Sequence, residues 1–401
     1  MKARLLFAQL AELPKRVLKF DKGIEVILNG EENDYPERVE RLIDNSITAK
    51  QCRKLFRQFL TGKGFGEELN KVYVHPKKQT TLLEFLNNFN REFSTHGGVF
   101  VHVMYNIDGN PVWYDVIPYT DARKGKKDSK DYNGKFAIYK DWSDVKKGDI
   151  KWLDNFNPEP KIVQDQILKD KGINKYKGQL FYFNPSNTDY PLAHIHPVMN
   201  DADSEFRSGV FKNKSLRKGF FGKNILVTPP RIDPNLTRVP VAMLSDEERA
   251  ELQHQETAAG SVSETLKGFV GVENHEGFMS LEMEFEGDSI DKAIKHIKIE
   301  SDIDDKLFAY TESSSSNNIR KSYNNVPLIL VDSSDAKSLF GNSGEAVVQA
   351  KLFYQEQTEE ERMMIEQCLK KLFKNYDKVN TEALKIQPLI EKPAQDGINN
   401  A

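Results

Sequence analysis

Cysteine is scarce in this 401-residue sequence: there are two, Cys52 and Cys368, far apart in the chain. Each sits in a segment of helically spaced apolar residues, so both read as buried, reduced thiols, and a disulfide framework is not supported. Catalytic signatures are missing as well. No HExxH, CxxC or GxSxG occurs, so no zinc hydrolase, dithiol or serine-elbow chemistry is announced. No run of 18 apolar residues is present, which excludes a membrane-spanning helix of ordinary length. The opening MKARLLFAQLAELPKR has too short an apolar run for a signal peptide, so folding in a cytoplasm is expected. An excess of one charge is missing too. Lys and Arg number 57 against 60 Asp and Glu, for a net charge of −3. A protein that grips a polyanion over its whole surface carries a basic face, so any nucleic-acid contact must rest on local patches.

What the sequence does have is apolar and aromatic material. Hydrophobic residues make up 38 %, and there are 24 Phe and 14 Tyr. This is the composition of an ordered chain, and its length calls for more than one structural unit.

Residues 1–195 read as one α+β unit. Pro36 opens a helix carrying Val39, Leu42, Ile43 and Ile47, and a second helix runs to about Leu60 with Cys52, Leu55, Phe56 and Phe59 on one side. Thr81-Leu82-Leu83-Glu84 is a capping box, and the 3–4 residue spacing of Leu82, Phe85, Leu86, Phe89 and Phe93 predicts a helix over 81–95 that ends at His96-Gly97-Gly98. Asp108-Gly109 between two β-prone runs predicts a hairpin. Residues 121–134 read as a loop rich in Lys, Asp and Gly, and further strands are expected at 136–142, 150–153 and 180–183. Beyond 200 the pattern changes to a long helix from Asp201 to Phe221, locally basic through Arg207, Lys212, Lys214, Arg217, Lys218 and Lys223. That charge suits a solvated face, a polyanion or an acidic neighbour. Strands at 224–227 and 278–285 and an acidic helix opened by Ser245-Asp246-Glu247-Glu248 make a small α/β module over 224–288. A helix over 300–322, a Ser/Gly/Asn loop over 332–344 and a long helix from Glu345 follow; Thr358-Glu359-Glu360-Glu361 reads as a fresh capping box that breaks this helix. Residues 377–401 read as a loose tail.

Three features imitate active sites. Thr61-Gly62-Lys63-Gly64-Phe65-Gly66 resembles a phosphate loop but follows a helix and lacks the GxxxxGK[ST] spacing, so it reads as a helix stop. His194 and His196 would share one face of a strand, as a metal pair can, but no third ligand lies near them in sequence. Gly341-Asn342-Ser343-Gly344 reads as a loop and helix cap. Neither a metal nor a cofactor is expected.

The order of elements, together with several local segments, resembles the tailed-bacteriophage portal (head–tail connector) family. The segments are Asn33-Asp34-Tyr35-Pro36-Glu37-Arg38-Val39-Glu40-Arg41-Leu42-Ile43 with the helix that follows it, Tyr190-Pro191-Leu192-Ala193, Asn318-Ile319-Arg320, and Leu339-Phe340-Gly341-Asn342-Ser343-Gly344. The likeness covers about residues 30–376. It implies an α+β wing (1–195), a two-helix stem (196–223 and 299–324), a small α/β clip (224–298), a tunnel loop (325–344), a long kinked helix packing on the wing (345–376), and a flexible tail with minimal crown (377–401). It further implies a non-enzymatic ring of twelve copies at one vertex of the virion, made in the bacterial host cytoplasm, through which double-stranded DNA is packaged and ejected. The expected partners are copies of itself, a large terminase, a major capsid or scaffold protein and a head–tail adaptor, with no membrane. Expected DNA-channel residues are Lys321, Asn325, Ser334, Lys337 and Asn342; the basic stem face is Arg207, Lys214 and Lys218; the partner-binding clip residues are Asp246, Glu247, Glu248 and Glu251. Another head–tail adaptor or minor capsid protein would lack the helix–module–helix excursion. A metal-dependent hydrolase would bring His194, His196 and Asp201 together.

Overall fold

The structure is a computed structural model, and it describes residues 20–21, 23–218, 224–228, 278–282, 295–298, 305–332 and 345–391. The fold is mixed α/β, and the chain divides into two compact units: residues 1–203 with 315–401, and residues 204–314.

The first unit is built on a six-stranded sheet. Its members are β3 (Tyr73–His75) and β4 (Thr80–Thr81) in a small separate ribbon, then β5 (Val99–Tyr105), β6 (Pro111–Ile117), β7 (Ala122–Lys124), β8 (Lys135–Ile138), β9 (Lys151–Asn155) and β10 (Gln179–Phe183) in the main sheet, while β1 (Phe20–Asp21) pairs with β2 (Val26–Ile27). The main sheet runs β6-β5-β10-β9-β8-β7, antiparallel throughout except for the parallel β9–β10 pair. Strand alternation divides the core. Val99, Val101, Val103 and Tyr105 join the larger cluster, while Phe100 lies in a second cluster with Tyr119, Phe136, Leu153, Leu180 and Tyr190.

The larger cluster is closed by helices α1 (Tyr35–Asn45), α2 (Ile47–Thr61) and α4 (Leu82–His96); α3 (Glu67–Asn70) is a single turn between them. Cys52, Phe56, Phe59 and Leu60 on α2 meet Phe85, Leu86, Phe89 and Phe93 on α4, all of them buried. The α4 capping box is present: the Thr81 hydroxyl accepts from the Glu84 amide, and the Glu84 carboxylate accepts from the Thr81 amide at 2.8 Å. Gly97, left-handed at φ +76°, ends the helix. Gly62 ends α2 at φ +53°, so the glycine-rich 61–66 segment is a helix stop. Both cysteines are free and buried.

Four expectations for this unit change. Residues 121–134 contain a strand, β7, whose Arg123 is fully buried. Its guanidinium donates to the Asn33 side chain at 2.6 Å, the Asn33 carbonyl at 2.9 Å and the Thr120 carbonyl at 2.7 Å, and lies 5.1 Å above the Trp142 ring. Arg123 thereby fixes the Asn33-to-Glu37 turn, with Asn33 at φ +61°. A helix, α5 (Pro160–Lys169), occupies a stretch to which the sequence assigned nothing; Val163 and Ile167, four apart, are its buried side. The strand expected over 136–142 stops at Ile138. Residues 377–391 are not loose: Leu384 and Ile386 are buried, and Gln387 pairs by backbone with Lys63 and Gly64 at 2.9 and 2.7 Å.

Helix α6 (Met199–Lys218) leaves the first unit and α7 (Asp305–Ser322) returns to it. Between them the described part of the second unit is a three-stranded sheet of β11 (Asn224–Thr228), β12 (Phe278–Glu282) and β13 (Lys295–Lys298), with β11 central, parallel to β12 and antiparallel to β13. β13 was not expected from sequence. The acidic helix expected from Ser245 lies outside the described residues. After α7 come α8 (Leu328–Val331), then α9 (Glu345–Gln357) and α10 (Glu359–Leu372), which are interrupted at Thr358. Among the described residues no helix is long and apolar enough to cross a membrane.

Candidate functional site

The residues that sequence singled out gather most densely where α7 ends, the chain turns, and α9 gives way to α10. Ile319 and Tyr323 on α7 are completely buried, which anchors the helix end in the core of the first unit. Asn324 and Asn325 then both take left-handed backbone conformations, at φ +57° and +56°. Asn tolerates that region better than most residues, so two of them in succession reverse the chain without glycine. Arg320 locks the reversal, its guanidinium donating to the Val326 carbonyl at 2.9 Å and to the Asn317 side chain.

The same turn is tied to the helix break. The Asn324 amide group donates to the Gln357 carbonyl at 3.0 Å and to the Glu361 carboxylate at 2.6 Å. At the break itself the expected capping box is absent. Thr358 does not cap α10; its hydroxyl turns back to the Tyr354 and Gln355 carbonyls at 3.1 and 3.2 Å. Arg362 fills the gap instead, donating to the Thr358 hydroxyl at 2.9 Å, the Gln355 carbonyl at 2.8 Å and the Phe59 carbonyl at 3.3 Å. One guanidinium therefore takes up the Gln355 carbonyl at the end of the interrupted helix and ties it to the Phe59 carbonyl of α2.

Lys321 and Asn325 are exposed at this turn. Ser334, Lys337 and Asn342 lie outside the described residues. On α6, Arg207 is exposed; Lys214 and Lys218 belong to the helix by backbone. Lys212 of that basic helix has an acidic neighbour, Glu312 on α7, at 2.5 Å. Both side chains are substantially exposed, so the pair contributes little stability but does offset part of the charge. Asp246, Glu247, Glu248 and Glu251 lie outside the described residues.

The histidine pair does not form a metal site. His194 and His196 are not on a strand; they flank the start of a short 3-10 turn, His196–Val198. The His194 ring packs edge-on against Phe56 and Phe93, and its Nε2 is buried without a hydrogen-bond partner among the described residues. Nδ1 of His196 is 3.0 Å from the Tyr35 hydroxyl, and Asp201 accepts from Asn318 at 3.2 Å. Among the described residues no group of three or more His, Cys, Asp or Glu side chains is placed to hold a metal ion.

Sequence reasoning missed a second feature of the first unit. Lys50, Arg53, Lys54 and Arg57 on α2 and Arg91 and Ser94 on α4 line a cleft of about 310 Å³. Its signal was the i, i+3, i+4, i+7 spacing of the four α2 cations, opposite the apolar face of that helix.

No family model and no curated protein matches this chain. Among solved structures it is similar to a chain in the neck of a native gene transfer agent particle, computed with C12 symmetry, at 13 % identity and a TM-score of 0.46, covering 87 % of this chain and 86 % of that one. It is also similar to a chain in the virion of a native gene transfer agent particle, at 12 % identity and a TM-score of 0.46, covering 85 % of this chain and 82 % of that one. A third similar structure is an HK97-family phage portal protein from Corynebacterium diphtheriae, at 10 % identity and a TM-score of 0.40, covering 86 % of this chain and 92 % of that one.

Proposed function

We propose that this chain is the subunit of a phage-type portal ring, a passive gate for double-stranded DNA at one vertex of a virion. The observation that carries the reading is topological. Residues 204–314 make a compact unit of their own, entered by α6 and left by α7, while the chain on either side shares a single core. An excursion bounded by two helices is what separates a portal from a simpler head–tail adaptor.

In this reading α6 and α7 form the stem and the 224–298 module is the clip that engages a terminase and later a tail adaptor. The loop after Asn325 approaches DNA, with Lys321, Asn325, Ser334, Lys337 and Asn342 repeated around the channel by the ring's symmetry. Repetition makes few cations per chain sufficient, because each phosphate contact adds salt-sensitive affinity and a gate must let DNA slide. The interrupted α9–α10 pair and the Asn324 bonds to Gln357 and Glu361 give the loop a fixed base. No residue breaks a covalent bond; ATP hydrolysis belongs to the terminase.

Native mass spectrometry and negative-stain imaging of the purified full chain test this. Closed rings with a central hole, twelve-fold in the simplest case, are the expected result. A monomer that stays monomeric at high concentration and hydrolyses a substrate sinks the proposal.

A further inference from the structure

Helix α2 buries one face and charges the other. Ala49, Cys52, Phe56, Phe59 and Leu60 are in the core, while Lys50, Arg53, Lys54 and Arg57 face the cleft that Arg91 closes from α4. Five cations there meet three carboxylates: Glu40 lies close enough to Arg53 and Arg91 for their charge, after the His96 hydrogen bond, to lower its pKa, and two others pair directly. Asp44 takes Arg53 at 3.2 Å and Lys50 at 3.6 Å, and Glu92 takes Arg91 at 3.2 Å. The Arg57 guanidinium, half-buried, makes no hydrogen bond or ion pair with any described residue. Burial, and then the neighbouring Arg53 and Arg91, hold its pKa below the ordinary guanidinium value. Gathering two guanidiniums around a third that is half-desolvated is unfavourable unless an anion completes the group.

The chemistry selects among anions. A carboxylate offers two oxygens and one charge, which a single Arg fork satisfies; a phosphate offers more acceptors to converging forks. The cations also form a row. Lys50 to Arg57 spans seven residues of α2, about 10 Å at the helical rise. A row of that length is long enough to meet more than one phosphate of a strand, because the axial spacing of successive phosphates in duplex DNA is about 3.4 Å. We infer that the α2–α4 cleft is a nucleic-acid backbone site, with Arg57 at one end of the row, beside Arg91, seating a phosphodiester and Lys54 and Lys50 reaching along the same strand. The site belongs to the single chain and does not depend on ring formation.

The test is fluorescence anisotropy of a short labelled DNA duplex with the full-length protein across a salt series. Arg57→Gln is expected to raise Kd about tenfold and to reduce the slope of log K against log salt by about 0.9, the loss of one phosphate contact. Lys54→Glu, at an exposed position, is expected to weaken binding without touching the core, and it reads the same site should Arg57→Gln fold poorly. Arg57→Lys, which keeps the charge, is expected to lose less. Unchanged affinity and slope in both Arg57→Gln and Lys54→Glu overturn the inference. So does inorganic phosphate displacing the duplex at equal phosphate concentration, which marks a small-anion site. Polyglutamate displacing the duplex at lower charge concentration also overturns it, in favour of an acidic protein segment. A ring assay that fails leaves these readouts unaffected, so the two proposals fall separately.

Discussion

The Tyr354 hydroxyl donates to the backbone carbonyl of Tyr323 across 2.9 Å, both residues being completely buried. This bond joins the end of the returning helix α7 to the last turns of α9. Burial raises the Tyr354 pKa, so the group stays a donor at any physiological pH. Tyr323 is its opposite: its own hydroxyl is buried with no hydrogen-bond partner among the described residues.

Two substitutions that each remove one hydroxyl should therefore differ. Tyr354→Phe strands a buried carbonyl and is expected to cost about 1–3 kcal/mol. Tyr323→Phe removes an unsatisfied group and is expected to be neutral or stabilising by up to about 1 kcal/mol. Urea denaturation of both variants, with unchanged m-values, checks the pair; equal losses would refute the assigned hydrogen bond.

Acid should reach the sheet through His102. Its Nε2 lies 2.7 Å from the Lys177 carbonyl, which fixes Nε2–H as a donor from a neutral ring. Burial, and then Lys151, lower its pKa to about 4 against the opposing Lys177 and Asp115. The unfolded chain thus binds a proton that the folded chain refuses between about pH 6.5 and 4. Stability from this group is complete above 6.5 and is lost as pH falls to 4, by about 3 kcal/mol in all. Denaturation curves at several pH values should be flatter over that window for His102→Gln than for the natural chain. Parallel curves would remove His102 as the cause.

Two left-handed glycines should tolerate a methyl group unequally. A Cβ on Gly62 would sit 2.1 Å from the Gln387 carbonyl oxygen, whereas one on Gly134 meets nothing within 4 Å. Gly134→Ala is expected to cost about 1 kcal/mol of backbone strain alone. Gly62→Ala is expected to cost more, about 2–4 kcal/mol, because it also forces away the segment around Gln387. Limited proteolysis should then cut Gly62→Ala, but not Gly134→Ala, between residues 384 and 391. Equal protection would show that the terminal segment is not docked there.

Thr81→Ala should lose about 1 kcal/mol by opening the capping box of α4. Glu84→Gln should lose less, since the amide oxygen still accepts from the Thr81 amide. Thermal melts at one protein concentration distinguish the two.

Local chemistry explains what the sequence made legible. Thr81 to Glu84 and the Phe spacing of α4 carry their signals within one or two turns, as does the Asp108-Gly109 hairpin. Thr358 shows where local pattern misleads. Its three following glutamates have the form of a capping box, but the Thr358 hydroxyl donates back to the Tyr354 and Gln355 carbonyls and accepts from Arg362, four residues on, instead of from a backbone amide of α10. Arg123 was illegible because its partners, Asn33 and its carbonyl, lie 90 residues earlier. Composition alone made its surroundings a loop. Gln387 was illegible for the same reason, since its partners are Lys63 and Gly64. At the candidate site, Asn325 was singled out, but nothing local announced that Asn324 would reach Gln357 and Glu361. The basic row on α2 was present as spacing, and only folding brought Arg91 to it.

The closing of one core by both ends of the chain also governs how the protein is made. Phe59 and Phe85 are covered by Tyr354 and Phe373, their ring partners from the last quarter of the sequence. A ribosome moving at 5–20 residues per second needs roughly 10–40 s to go from residue 203 to the Leu384–Ile386 segment. For that interval the finished half presents an uncovered aromatic face, and the 204–314 unit is synthesised while it waits. Nascent chains should accordingly recruit chaperones most strongly when stalled between these two points, and release them only after the final helices emerge.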